Sequence, residues 1–283
     1  MEGMRENQKL IFISQEEYIN EIFTRFNMSD CKPVKIPMEP GMKLTKEQQE
    51  SDSPYREALG ALMYLMISSR PDLAFVISYL SQYANCHGPT HWEAVKRVLR
   101  YLQGTKNRRV CLGGANQELK CFSDADWGHN EDRRSISGYA ITFGSGTVSW
   151  SSRKQQCVAQ STTEAEYISV SEASKECIYL EQFLKEIHEW KQKSIEICCD
   201  NQSAIVWTNE GRNQNRSKHV DIRYHFIRDL AEQKRIKITF MPSEEMPADL
   251  MTKALPIPRF IKLVDRLLAA TSGGVLTLDL RSV

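Results

Sequence analysis

The sequence has no apolar run approaching the ~18 residues of a membrane span. Its first residues, "MEGMRENQKLIFISQEEY", hold no long apolar core and no small-residue cleavage site. No secretory signal is read, and the expected location is cytoplasmic or nuclear. An excess of charge of either sign is missing too. The 37 basic and 36 acidic residues nearly cancel, so overall charge selects no partner. The eight cysteines, at 31, 86, 111, 121, 157, 177, 198 and 199, form no Cys-x-x-Cys pair. Their number is even, but 283 residues with 41% hydrophobic content need no disulfide framework. A reduced intracellular protein is expected. "CHGPTH" brings Cys86, His87 and His91 close in sequence, yet no second cysteine pair accompanies it. A partly buried loop or helix start is a better reading there than a zinc site.

What is present divides into two unequal parts. Residues 15 to 26 place Tyr18, Ile19, Ile22, Phe23 and Phe26 at helical spacing. "CKPVKIPMEPGMKL" follows, with three prolines, and reads as an extended tether. "SPYREALGALMYLMISSRPDLAFVISYLSQYANC" reads as two helices, the first capped by Ser53 and the second opened by Pro71. "GPTHWEAVKRVLRYLQGTK" reads as a third, capped by Thr90 and ended by Gly104.

After about residue 116 the period changes. "ELKCFSDADW", "SISGYAITFG" and "GTVSWSS" are strand-like, with Gly144 to Gly146 a hairpin signal. "STTEAEYISVSEASKECIYLEQFLKEIHEW" is one long helix, with Ser161 or Thr162 as cap and Glu164 placed for a capping box. "SIEICCD" is a strand, "NQSAIVWTNE" and "SKHVDIRYHFIRDLAEQK" are helices, and "RIKITFMPS" is a strand. "MPADLMTKAL" is expected to open a last helix that continues through "RFIKLVDRLLAA". The fold class is α/β on a mixed sheet.

"KCFSDADWGHNEDRR" sets two aspartates, Asp124 and Asp126, on one face of a strand. Like charges so close repel unless a cation lies near them. Asp200 ends another strand and Asp249 begins the last helix, while Glu164 and Glu166 lie in the first turn of the long helix. Strand ends and helix starts are where open sheets assemble sites. The helix dipole accounts for an acidic residue such as Glu164, and for Asp249 as well. It does not account for aspartates ending two separate strands. Hard oxygen ligands of this kind suit magnesium or manganese.

The order of these stretches resembles the C-terminal part of the Pol polyprotein of Ty1/copia-type LTR retrotransposons. "SDADWGHNEDRRSISGY", "SWSSRKQQCVAQSTTEAEY", "CDNQSAI", "KHVDIRYHFIRD" and "ADLMTKAL" resemble its ribonuclease H domain. "SQEEYINEIFTRFNMSDCKPVKIPM", "YREALGALMYLMISSRPDLA" and "HWEAVKRVLRYLQGT" resemble the end of its reverse transcriptase and the connection. The resemblance spans roughly residues 10 to 268. It implies a ribonuclease H-like five-stranded mixed sheet with flanking helices, preceded by a small, mostly helical segment. The implied organisation is 1–52 for the end of the reverse transcriptase, with a thumb-like helix and tether, and 53–115 for a helical connection. The ribonuclease H-like domain is 116–270 and a loosely ordered tail is 271–283.

The resemblance also implies a set of four catalytic, metal-binding carboxylates. Asp124 matches its first aspartate, with Asp126 a neighbour that adds to the local negative potential. Glu166 matches its glutamate in "AEY", which leaves Glu164 to the capping box. Asp200 and Asp249 complete the set. Two Mg2+ ions are implied, with Mn2+ as an alternative, and no small-molecule cofactor. Many ribonucleases H carry a histidine on the loop before the last helix. Here that loop is "MPSEEMPAD", and His219 and His225 lie earlier.

Between Arg212 and Lys237 eight basic residues face three acidic ones. Arg216, Lys218, Arg223 and Arg228 are the expected nucleic-acid contacts there. The implied partners are an RNA–DNA hybrid and the polymerase part of a retroelement, with no membrane. No Asp-Asp pair occurs, so a polymerase signature is missing and no primer extension is expected. Three functions follow: an endonuclease cutting the RNA strand of a hybrid, a non-catalytic nucleic-acid-binding or interaction module, and an effector-like protein. The third comes from "RVLR" at Arg97 to Arg100, the Arg-x-Leu-Arg pattern of oomycete secreted effectors. Inside a predicted helix, and without a signal peptide, that tetrapeptide is read as chance.

Overall fold

The computed structural model describes residues 10–47, 52–113, 117–128, 132–187, 190–210, 218–268 and 277–279. The first part is mainly helical. After a short strand, Ile11–Ser14 (β1), come Glu16–Arg25 (α1), Tyr55–Ser68 (α2), Ala74–Ser81 (α3) and Pro89–Thr105 (α4). Pro54, not Ser53, stands at the N-cap of α2. Gly88, not Thr90, caps α4, because His91 takes the Gly88 N–H at 3.1 Å and the Thr90 hydroxyl donates to Glu47 instead. The tether between α1 and α2 forms no strand or helix over residues 28–47, as its prolines predict. It is nonetheless packed: Ile36, Met38 and Leu44 are buried.

The second part follows from Val110–Leu112 (β2). Leu119–Asp126 (β3), Ile136–Phe143 (β4) and Gly146–Lys154 (β5) form an antiparallel meander. The β4–β5 turn needs Gly144, whose φ is +63°. Thr162–Ile187 (α5) crosses to Ile195–Cys199 (β6), which pairs parallel to β3. Gln202–Glu210 (α6) and Lys218–Glu232 (α7) lead to Ile236–Phe240 (β7), parallel to β6. The sheet order β5-β4-β3-β6-β7 is the mixed five-stranded sheet of a ribonuclease H-like fold. A parallel pair needs a crossover, and α5 and the α6–α7 pair supply the two.

The chain end departs from expectation at its last helix. The stretch beginning "PADLM" is not the start of the last helix. Pro247–Met251 is a 3-10 turn, and the helix proper is Ile257–Leu267 (α8). Pro256 lacks a backbone donor and turns Leu255 away from helical geometry, so the helix starts afresh after it, with Pro258 tolerated in its first turn. Of residues 271–283 the described part is Thr277–Asp279 (β8), which lies parallel to β1 in a small sheet of order β2-β1-β8.

The sheet is buried on both faces. Cys121 and Ile141 face α5 and join Tyr167, Val170, Cys177, Ile197, Ile227 and Leu230 in one cluster. On the other face Ala140 joins Leu62, Val98 and Leu102 of the helical part, with Leu250, Met251, Leu263 and Val264 from the chain end. One cluster of buried residues therefore draws on both the 53–115 and the 116–270 stretches. The ring of Tyr101 meets Phe260 edge-on at 5.6 Å, and the Trp150 indole donates to the Met66 carbonyl at 2.9 Å.

Candidate active site

Strand register builds the site. The parallel pairing of β3 with β6 sets Lys120 beside Glu196 and Phe122 beside Cys198. Two residues further along, the same register carries Asp124 and Asp200 to one end of the sheet. On its other side β3 sets Asp124 opposite Gly138 of β4. A Cβ on Gly138 would lie 2.5 Å from Met251 Cβ and 2.7 Å from Thr252 Cγ2. The absent side chain therefore lets the 3-10 turn lie on the strand, which delivers Asp249. The carboxylate oxygens of Asp124, Asp200 and Asp249 fall within 4.8 Å of one another.

Glu166 arrives from α5. Ser169, one turn on, donates to the Asp124 carbonyl at 2.7 Å and accepts from Ser123 Oγ at 3.0 Å, which pins the helix to β3. Glu166 then accepts from the Ala125 N–H at 3.2 Å. It belongs to a second group, with Cys199 and Asp200, whose ligand atoms also lie within 4.8 Å. The four predicted carboxylates are thus brought together in two groups that share Asp200. Asp126 is in neither. It lies at the edge of a cavity of about 280 Å3 lined by Met38, Met42, Phe75 and Tyr79. Glu164 serves the helix end: its N–H donates to Ser161 Oγ, and its carboxylate accepts from the Gln160 N–H at 2.8 Å.

The electrostatics are those of crowded, buried acids. Burial first, then the charges of Asp124 and Asp200, pushes Glu166 well above the ordinary carboxylate range. Burial, with Asp124 close by, raises Asp249 to about 7. Asp200 is raised for the same reasons, with the Ser243 hydroxyl pulling the other way.

Four residues in the site were not predicted. Thr252 donates its hydroxyl to Asp124 Oδ2. Lys253 Nζ lies 3.3 Å from Asp124 Oδ2 and 3.0 Å from Asp249 Oδ1. Arg259 pairs with Asp249 and also donates to the Ser243 carbonyl. Ser243 in turn holds Asp200. The histidine-free loop thus contributes a serine, and the residues after it a lysine and an arginine, around the acids. The Asp249–Lys253 spacing of four was a signal for one of them. Arg259 lies beyond Pro256, where no local periodicity points to it.

Of the expected nucleic-acid contacts, Arg216 lies outside the described residues, as does the side chain of Lys218. Arg223 Nη1 approaches Cys157 Sγ at 3.6 Å, shortly before α5 begins and hence near the Glu166 end of that helix. Arg228 pairs with Glu232 on its own helix at 2.7 Å. His225 is exposed on α7. In the Arg-x-Leu-Arg stretch Leu99 is fully buried, Arg97 pairs with Glu39, and Arg100 donates to the Lys32 carbonyl at 2.8 Å. The tetrapeptide therefore clamps the tether onto α4. His87 stacks on Tyr55 at 4.6 Å, and all eight cysteines are free thiols. No helix among the described residues is long and apolar enough to cross a membrane.

No family model matches the chain. It is 42% identical over 266 residues to the retrovirus-related Pol polyprotein from transposon TNT 1-94 of Nicotiana tabacum. That alignment covers 90% of this chain, which spans 20% of the length of that relative. Over 129 residues it is 51% identical to secreted RxLR effector protein 161 of Plasmopara viticola, covering 45% of this chain and 91% of that one. Among solved structures, RNase H1 from the archaeon Halobacterium salinarum superposes with a TM-score of 0.36 at 16% identity, over 48% of this chain and 94% of that one. The chain is homologous to part of the Pol polyproteins of copia/Ty1-type retrotransposons.

Proposed function

We propose that the chain is a divalent-metal-dependent ribonuclease H that hydrolyses the RNA strand of RNA–DNA hybrids. The observation that carries this reading is the convergence of the Asp124, Asp200 and Asp249 carboxylates within 4.8 Å, with Glu166 beside Asp200. The donor set fits Mg2+ or Mn2+. All four groups offer hard oxygen atoms. The neighbouring Cys199 thiol is held protonated by burial and by Glu166, so it is a poor ligand for a softer metal. When bound, a pair of such ions supplies an activated water and charge stabilisation at the leaving oxygen.

The chain's own residues orient those donors. The Ala125 N–H fixes Glu166, Thr252 fixes Asp124, Ser243 fixes Asp200, and Arg259 fixes Asp249. Arg223, near the start of α5, and Arg228 further along α7 would take backbone phosphates of the hybrid, with Arg216 and Lys218 proposed as contacts from the sequence alone. The stretches 53–115 and 116–270 act together as one support for the site, since one core joins them.

The test is purified protein with a labelled RNA–DNA hybrid, with and without magnesium. Cleavage confined to the RNA strand, absent on duplex DNA and abolished by EDTA, is expected. Activity undiminished by EDTA removes the metal mechanism. No cleavage under any condition, with hybrid binding retained, leaves a non-catalytic nucleic-acid-binding module.

A further inference from the structure

Lys253 stands where the site's logic has no obvious place for it. Its ammonium contacts Asp124 at 3.3 Å and Asp249 at 3.0 Å. These are two of the three groups whose oxygens converge. A divalent cation chelated by the same oxygens would need the same space. The Lys253 side chain is 33% exposed, and the residue also lines the cavity beside Asp126, so the ammonium has room to leave. Arg259 is different. It is tied to both Asp249 and the Ser243 carbonyl, and so is anchored at two points.

We propose that Lys253 is a positioning residue: a built-in counter-ion that competes with the divalent cation for Asp124 and Asp249. The inference rests on the metal-dependent reading above and adds to it what sets metal affinity. Two cations at contact distance from the same oxygens repel strongly, so one displaces the other. Before the cation arrives, the ammonium offsets repulsion among three crowded carboxylates and keeps them aimed at a common point. Once displaced, it moves toward the Met42 and Tyr79 side of the cavity. A lysine suits this task because its charge is a hydrated point on a flexible stem, whereas a guanidinium holds carboxylates in a rigid fork. A site open to its ligand only part of the time binds it more weakly by that fraction.

The experiment uses the full chain without nucleic acid. Mn2+ is titrated calorimetrically into the parent, K253M and K253R. In parallel, the ammonium resonance of Lys253 is followed by NMR in protein labelled with 15N-lysine and assigned by its loss in K253R. K253M should bind Mn2+ roughly tenfold tighter than the parent, the gain expected if the lysine holds the site closed about nine-tenths of the time. K253R should bind no tighter than the parent. The Lys253 resonance should move toward that of a free surface lysine as Mg2+ is added. Equal Mn2+ affinity in parent and K253M, or a resonance unmoved by saturating Mg2+, overturns the proposal and leaves the metal reading standing. Absence of binding in all three proteins sinks both. If K253M does not fold, K253Q replaces it, and the NMR titration of the parent decides independently.

Discussion

Asp124 faces Gly138 directly across the β3–β4 ladder. The glycine is what allows Met251 and Thr252 to lie on the strand and bring Asp249 to Asp124. A single missing side chain on one strand thus sets the distance between two carboxylates 125 residues apart in sequence.

Gly138→Ala should therefore damage the site before it damages the fold. The added methyl must push back Met251 Cβ, which no side-chain rotation moves, and Thr252 Cγ2, whose rotation would carry the Thr252 hydroxyl away from Asp124. Overpacking of this kind costs about 1–3 kcal/mol. The loss of flexibility in the unfolded chain returns about 0.4–1 kcal/mol. A displacement of about 1 Å at Asp249 would cost roughly 100-fold in rate. Urea denaturation and hybrid cleavage rates check both. Unchanged cleavage in a stably folded variant would show that the 3-10 turn adapts without moving Asp249.

Arg70 and Asp72 form a buried ion pair in the helical part, and the Tyr101 hydroxyl donates to Asp72 at 2.6 Å. Arg70 also reaches the Thr105 carbonyl and hydroxyl. Asp72→Asn should cost about 3–5 kcal/mol, because it leaves the guanidinium buried without its counter-charge. Replacing both residues with apolar ones should cost far less. Equal losses for the single and double changes, measured in urea, would argue against an uncompensated charge as the cause.

The elements of the sheet were legible because their signals are local. Alternation marks β3, the Gly144 turn marks the hairpin, and Ser161 with Glu164 marks the start of α5. The four carboxylates could be chosen because a family pattern singled them out, and the structure brings them to one end of the sheet. What could not be read was tertiary. Nothing local says that Ile36 and Met38 of a proline-rich tether are buried, or that Arg97 in α4 pairs with Glu39. The last helix was read through Pro256 because "PADLM" is itself helical in pattern. Pro256, at the N-cap of the helix that follows, decides otherwise. The spacing of four points Lys253 at Asp249, but its contact with Asp124 in a distant strand comes only from packing.

Stability without metal should fall as pH rises from about 5 to 8. Asp249 is raised to about 7, and Glu166 and Asp200 are raised too, against unfolded carboxylates near 4. The folded chain therefore holds protons that the unfolded chain has lost. That contribution is full below about pH 4 and disappears as pH rises through about 7. His91, which burial holds below its ordinary value, works in the opposite direction. Excess Mg2+ leaves His91 unaffected but neutralises the acids. The measurement is melting temperature against pH, with and without Mg2+, and the gap between the curves should widen toward pH 8. A constant gap would mean that the carboxylates do not carry this dependence.

The last prediction separates Asp124 from Asp126. Both lie on β3 two residues apart, but only Asp124 contributes an oxygen to the converging group. Asp124→Asn keeps the shape and removes the charge, so it should nearly abolish cleavage. Residues that act as a unit lose several orders of magnitude singly and little more when combined. The double variant with Asp200→Asn should therefore be scarcely worse than either single change. Asp126→Asn should cost far less, since in this reading Asp126 only adds to the field around the site. Cleavage rate against magnesium concentration for each variant, with circular dichroism as folding control, provides the comparison. An inactive Asp126→Asn beside an active Asp124→Asn would mean that the strand register has been assigned two residues out. Parental activity in both would mean that neither carboxylate holds a catalytic ion, and the non-catalytic reading would take over.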